Sequence, residues 1–145
     1  MSDRSVSVSR VIAAPPEKIF DVLATPSGHA VIDGSGTVKG EQVGPERLTA
    51  VGDRFGMKMK MYGVPYKMSS NVVEFEEDRL IAWAHLGGHR WRYELEPVDE
   101  GTRVTETFDW STAKAPKFIE LMGYPKKHPA AMEKTLERLD EHVTA

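Results

Sequence analysis

Two turns between Leu80 and Trp110 decide which side chains can share a face, and so constrain the fold more than any other stretch. Gly87-Gly88 sits between two alternating runs, and both positions tolerate the positive φ that two-residue hairpin turns require. A hairpin centred there sets Leu86 opposite His89, Ala84 opposite Trp91, Ala82 opposite Tyr93 and Leu80 opposite Leu95. A loop over Val98–Gly101 then pairs Leu95 with Val104, Tyr93 with Glu106, Trp91 with Phe108 and His89 with Trp110. The other face receives Glu96 with Arg103 and Arg90 with Asp109, sensible solvent-side partners of opposite charge. The inward face is apolar and aromatic, yet it carries Tyr93, Glu106 and His89. That is the composition of a lined cavity.

The same reasoning extends upstream. Met57, Met59 and Met61 alternate with Lys58 and Lys60 in a strand over Phe55–Tyr62, Gly63-Val64-Pro65 turns the chain, and Tyr66–Glu76 returns. A turn at Glu77-Asp78 pairs Phe75 with Leu80, Val73 with Ala82 and Asn71 with Ala84. Met57 then falls across from Asn71, Met59 across from Ser69, and Lys67 inward opposite Met61. Five strands from Phe55 onward form an antiparallel meander that agrees on one inward face.

Ahead of it, Ser5–Ile12 alternates as a half-buried first strand. Pro15-Pro16-Glu17 opens a helix over Pro16–Ala24 that presents Ile19, Phe20 and Leu23. Thr25-Pro26 starts a second short helix ending near Ile32, and the Gly-rich segment Gly28–Gly52 holds a strand over Ser35–Val43. Behind the meander, Ala115-Pro116 opens a short helix carrying Phe118, Leu121 and Met122. Pro129 then starts a longer one, where Met132, Leu136, Leu139 and Val143 recur at i, i+4, i+7 and i+11. So narrow an apolar stripe belongs to a helix lying on the sheet.

At 145 residues with no dividing linker or repeat, one domain over 1–145 is expected. A chain of this size buries roughly 68–70% of its unfolded surface, enough for a core without staples. The absence of cysteine excludes disulfides, thiol nucleophiles and Cys-ligated metal centres. No apolar run approaches the ~18 residues of a membrane span, and the N-terminus lacks a signal-peptide core, so a soluble cytoplasmic protein without membrane insertion is expected. The net charge is −3 with scattered basic residues, which is not the footprint of a nucleic-acid binder.

The order of elements is one strand, two short helices, a six-stranded meander and a long C-terminal helix. It predicts an α+β helix-grip fold, a seven-stranded antiparallel sheet curved around that helix. This order resembles the START/Bet v 1-like superfamily, also called SRPBCC or polyketide cyclase/dehydrase-like proteins. The residues carrying the resemblance are Val11-Ile12-Ala13-Ala14-Pro15-Pro16-Glu17-Lys18-Ile19-Phe20, Trp91-Arg92-Tyr93-Glu94-Leu95-Glu96-Pro97 and Gly101-Thr102-Arg103-Val104-Thr105. The resemblance implies the fold, and a role among lipid carriage, hormone or sterol binding, polyketide cyclisation and chaperone binding. The chaperone-binding branch shows a Trp-Trp pair where this chain has His29-Ala30-Val31-Ile32-Asp33.

Within that frame, a hydrophobic small-molecule ligand is the expected partner. Met57, Met59, Asn71, Val73, Trp91, Tyr93, Glu106 and Phe108 line its cavity, and Phe118 and Met122 cap the mouth. Ala82, Ala84 and Ser69 on the same face leave volume that a ligand, or Trp91, must fill. Glu106 is a candidate general base or ligand-orienting group, since desolvation raises a carboxylate pKa unless a cation or hydrogen bonds hold it charged. The alternative, which is favoured over catalysis, is that Tyr93 and Glu106 simply satisfy one another as a structural pair. His89 is either an acid or base at the mouth or a half-exposed hairpin histidine.

His85 and His89 fall on opposite faces, His29 and Asp33 form no ligand set, and neither a metal nor a cofactor is expected. Gly34-Ser35-Gly36 lacks the ending and setting of a phosphate loop. On the outer face, Met68, Val72 and Trp83, with Arg92 stacked on the indole, form a patch suited to a homodimer or another partner.

Overall fold

Alternating valines and a proline pair build the first two elements within the bounds the sequence predicts: β1 (Ser5–Ile12) and α1 (Pro16–Ala24). Pro15 caps the helix in extended conformation, Pro16 occupies its first turn and Glu17 complements the helix dipole there. Ile19, Phe20, Leu23 and Ala24 form its buried side. The computed structural model describes residues 5–25, 38–43, 47–61, 64–85, 89–111, 117 and 124–144, and the backbone alone at 38–43, 56–61, 64–69, 85 and 124–128. The expected helices after Thr25 and from Ala115 through Met122 lie almost wholly outside these residues.

The remaining elements are β2 (Val38–Val43), β3 (Arg54–Met61), β4 (Val64–Glu76), β5 (Leu80–His85), β6 (Arg90–Val98), β7 (Gly101–Asp109) and α2 (Tyr124–Thr144). They form a seven-stranded sheet in the order β1-β7-β6-β5-β4-β3-β2, antiparallel throughout, with α2 as the gripped helix. α2 starts at Tyr124, one turn before the expected Pro129, which lies inside it. Pro125 explains the earlier start: in a first turn the missing N–H has no helical partner to lose. The apolar stripe is as expected. Leu136, Leu139 and Val143 join Ile12, Phe20, Tyr93 and Val104 in the main core, while Met132 packs with Phe108 and Trp110. Arg10 of β1 ties down the helix through Asp140 at 2.8 Å.

Between β6 and β7 the expected register holds throughout, from Arg90 opposite Asp109 to Glu96 opposite Arg103. The other three registers differ from expectation, and so does the place of Pro65. β5 pairs with β6 one residue out of step, Ile81 facing Tyr93 and Trp83 facing Trp91. The pairing is thus centred on residue 87, not between the two glycines.

β4 pairs with β5 as expected at Asn71 and Ala84, but a bulge between Val72 and Glu74 shifts Phe75 onto Ile81. Asp78 at φ 64° closes that hairpin, with the Arg79 N–H donating to the Glu76 carbonyl at 3.0 Å. β3 and β4 are offset by three residues, so Met57 pairs with Met68, Met59 with Tyr66 and Lys67 with Lys58. Pro65, read from sequence as a turn residue, is the second residue of β4, and strand beginnings tolerate the missing donor.

The one-residue slip between β5 and β6 has a large effect, because it exchanges the faces of every β5 side chain. Ile81 and Trp83 enter the core and Ala82 faces the other way. Ala82 is nevertheless buried, because its row neighbours Glu74 and Arg92 join across it at 2.8 Å. Arg92 also pairs with Glu94 and does not cover Trp83. The expected outer patch is absent, since Val72 and Trp83 are core residues; Met68's side chain lies outside the description. Among the described residues no helix is long and apolar enough to cross a membrane.

Candidate functional site

Sheet pairing assembles the site row by row on the side that α2 covers. One row runs Val8, Glu106, Tyr93, Ile81 and Phe75 across β1, β7, β6, β5 and β4. The next runs Val6, Phe108, Trp91, Trp83 and Val72. The first row holds the polar pair. The Tyr93 hydroxyl donates to Glu106 Oε2 at 3.0 Å, with Tyr93 only 5% and Glu106 only 2% exposed. A phenol and a carboxylate in apolar surroundings reduce each other's desolvation cost by making this bond.

The second row is aromatic. Trp91 lies on Phe108 with ring centres 4.8 Å apart, Phe108 stacks on Trp110 at 5.6 Å, and the His89 imidazole meets the Phe108 edge at 5.6 Å. Trp83 bridges the rows, its ring 5.5 Å from Tyr93 and 5.7 Å from Phe55. Burial pushes the His89 pKa below its ordinary value, because the imidazolium loses hydration there. Trp83, Phe108, Trp110 and Tyr93 are buried, whereas Trp91, Val6, Val8 and Phe75 keep part of their surface accessible while packing against the core.

Of the residues predicted to line a cavity, Trp91, Tyr93, Glu106 and Phe108 come together, with His89 at their edge. Asn71 does not. It is exposed, paired with Arg54 and Ala84, because it precedes Val72, which faces the core. Val73 is the half-buried residue at the bulge. The Met57 and Met59 side chains, Phe118 and Met122 lie outside the description, as does the Lys67 side chain. Ala82 and Ala84 do not supply the inward small residues, since Ile81 and Trp83 take that face. Sequence reasoning missed Ile81, Trp83 and Val8. Size was the available signal: of the two registers for β5, only one buries the larger side chains Ile81 and Trp83.

Among the described residues no three histidine or acidic side chains converge on a common point for a metal. A separate groove of about 270 Å³ lies between β1 and α2, lined by Ser9, Arg10, Glu133, Leu136 and Glu137. Its charged lining suits water better than an apolar guest.

A family model described as polyketide cyclase / dehydrase and lipid transport matches residues 3–144. The uncharacterized protein Rv0088 of Mycobacterium tuberculosis is 43% identical over 141 residues, which is 94% of this chain. The chain spans 62% of the length of that relative. A crystal structure of a Rhodobacter sphaeroides protein superposes with a TM-score of 0.77 at 20% identity, covering 99% of this chain and 93% of the other. The solution structure of an AHSA1-like protein from Aeromonas hydrophila gives a TM-score of 0.66 at 16% identity, over 97% and 92% of the two chains. At these identities the two structures bear on the fold alone.

Proposed function

We propose that this chain, which is a member of the polyketide cyclase / dehydrase and lipid transport family, binds a hydrophobic small molecule between sheet and helix. The ligand is a lipid, polyketide or aromatic metabolite, and residues 1–145 act as one cytoplasmic binding domain. One observation carries the reading. Trp91 sits on an interior strand and packs on the core side, yet remains accessible, while the Tyr93–Glu106 pair is buried in the neighbouring row. That accessible part of the ring is apolar surface which a ligand would cover. The apolar rows supply affinity at roughly 25 cal/mol per Å² before ordering costs, and the polar pair sets orientation.

Native mass spectrometry of gently purified protein tests this. A small molecule should co-purify, and Tyr93→Phe or Glu106→Gln should alter which molecules are retained more than whether the chain folds. Retention of one identified ligand with unchanged affinity in both variants counts against this site.

The buried Glu106 beside a phenol also supports a second reading, a cyclase or dehydratase with Glu106 as general base and Tyr93 or His89 as acid. That reading requires turnover to collapse in Glu106→Gln while binding persists. A dimer or partner reading through the Trp83 face has lost its basis, because Trp83 packs on Phe55 and Tyr93.

A further inference from the structure

We infer that Trp91 selects the shape of the guest: it gives the site a flat, rigid wall that takes a planar aromatic ring in preference to a saturated ring or an alkyl chain. The inference rests on the ligand-binding reading and names the ligand class within it. Trp91 stands on β6, an interior strand, and packs on the core side of the sheet. Its ring lies against Phe108 with centres 4.8 Å apart and planes inclined by 44°. Phe108 is 2% exposed and is itself held from other directions, by Trp110 at 5.6 Å, by the edge contact with His89 at 5.6 Å and by Met132 of α2. An indole has only two side-chain torsions, and one resting on so fixed a neighbour has little freedom left to turn.

Trp91 nevertheless keeps part of its surface accessible, and so do Val6 and Val8, which pack against the same cluster from β1. In their row Phe108 lies between Val6 and Trp91. Valine is stiff at its first torsion and an aromatic ring is flat, so the accessible surface of these three residues has little capacity to remould itself around a coiling guest. A planar ring laid on the indole gains contact between π systems beyond the apolar area it buries. A saturated ring of the same skeleton buries similar area without that contact. An alkyl chain must also give up rotational freedom to lie along a flat wall, so less of its burial appears as affinity.

Calorimetric titration with three neutral alcohols of similar apolarity tests the idea: 2-naphthol, its saturated analogue decahydro-2-naphthol, and 1-octanol. In the unmodified protein 2-naphthol should bind at least about threefold more tightly than either of the others. Trp91→Leu keeps an apolar side chain and should weaken 2-naphthol at least about threefold more than it weakens either saturated probe, and Trp91→Phe should recover most of that difference. The comparison of 2-naphthol with its saturated analogue in the unmodified protein decides the matter even where a variant fails to fold. Equal or tighter binding of decahydro-2-naphthol there, or an equal loss for all three probes in a folded Trp91→Leu protein, overturns selection by Trp91 and leaves the binding reading standing. No binding by any of the three probes overturns the binding reading itself, and this inference with it.

Discussion

At Gly101 the chain has no room for a side chain. A Cβ there would lie 2.1 Å from the Ile12 carbonyl oxygen and 2.9 Å from the Ala13 Cα, and its φ of 140° already disfavours other residues. The obstruction is backbone from the β1–α1 junction, where the Thr102 hydroxyl donates to the Ala14 carbonyl at 2.8 Å. Gly101→Ala should therefore destabilise by more than about 1 kcal/mol in urea unfolding, without touching the aromatic rows. His89 carries a pH prediction. Its folded pKa is depressed, so the unfolded state takes up the proton first as pH falls. Stability from the neutral imidazole is thus complete above about pH 6.5 and is lost below it. The urea midpoint should drop between about pH 7.5 and about 5.5, and His89→Gln should reduce that drop.

Among the elements, legibility followed the local chemistry of each turn. The β6–β7 register was readable because Glu96–Arg103 and Arg90–Asp109 agree with the aromatic pairs on the other face, two independent constraints on one alignment. β1 and α1 were readable from the Val–Ser alternation and the proline pair. The β4 bulge leaves no mark in the sequence, and Pro65 has the same composition signal at a strand start as in a turn. Gly87-Gly88 is compatible with more than one connection length, and the choice moved Trp83 from outside to inside. Tyr93 with Glu106 was legible because it depends on β6–β7 alone, whereas Asn71 depended on the fainter turns. Trp83→Ala tests the corrected face. At 7% exposure and against two aromatic rings, its loss should cost about 3–5 kcal/mol in chemical unfolding.

Across the whole molecule, β1 and α2 grip from opposite ends of the chain, and Arg47 straps the segment before β3 to both α1 and the β4–β5 turn. Its guanidinium reaches Asp21 at 2.9 Å and Glu77 at 2.8 Å, and the neighbouring Leu48 N–H donates to the Ala24 carbonyl at 2.7 Å. A guest held between sheet and helix would add to this grip. Occupancy by the co-purifying ligand at about a hundred times its dissociation constant should stabilise the fold by about 2.7 kcal/mol, seen as a thermal midpoint several degrees higher.

The pairing of β1 with β7 joins Ser7 to Thr107 through hydroxyls 2.8 Å apart, residues one hundred positions distant in sequence. On a ribosome the first strand must wait, unpaired, until nearly the whole domain has emerged. Val8, which flanks Glu106, is then among the last walls to be set in place. The row that carries Tyr93 and Glu106 is therefore completed late in synthesis, when most of the residues that face it have already been made.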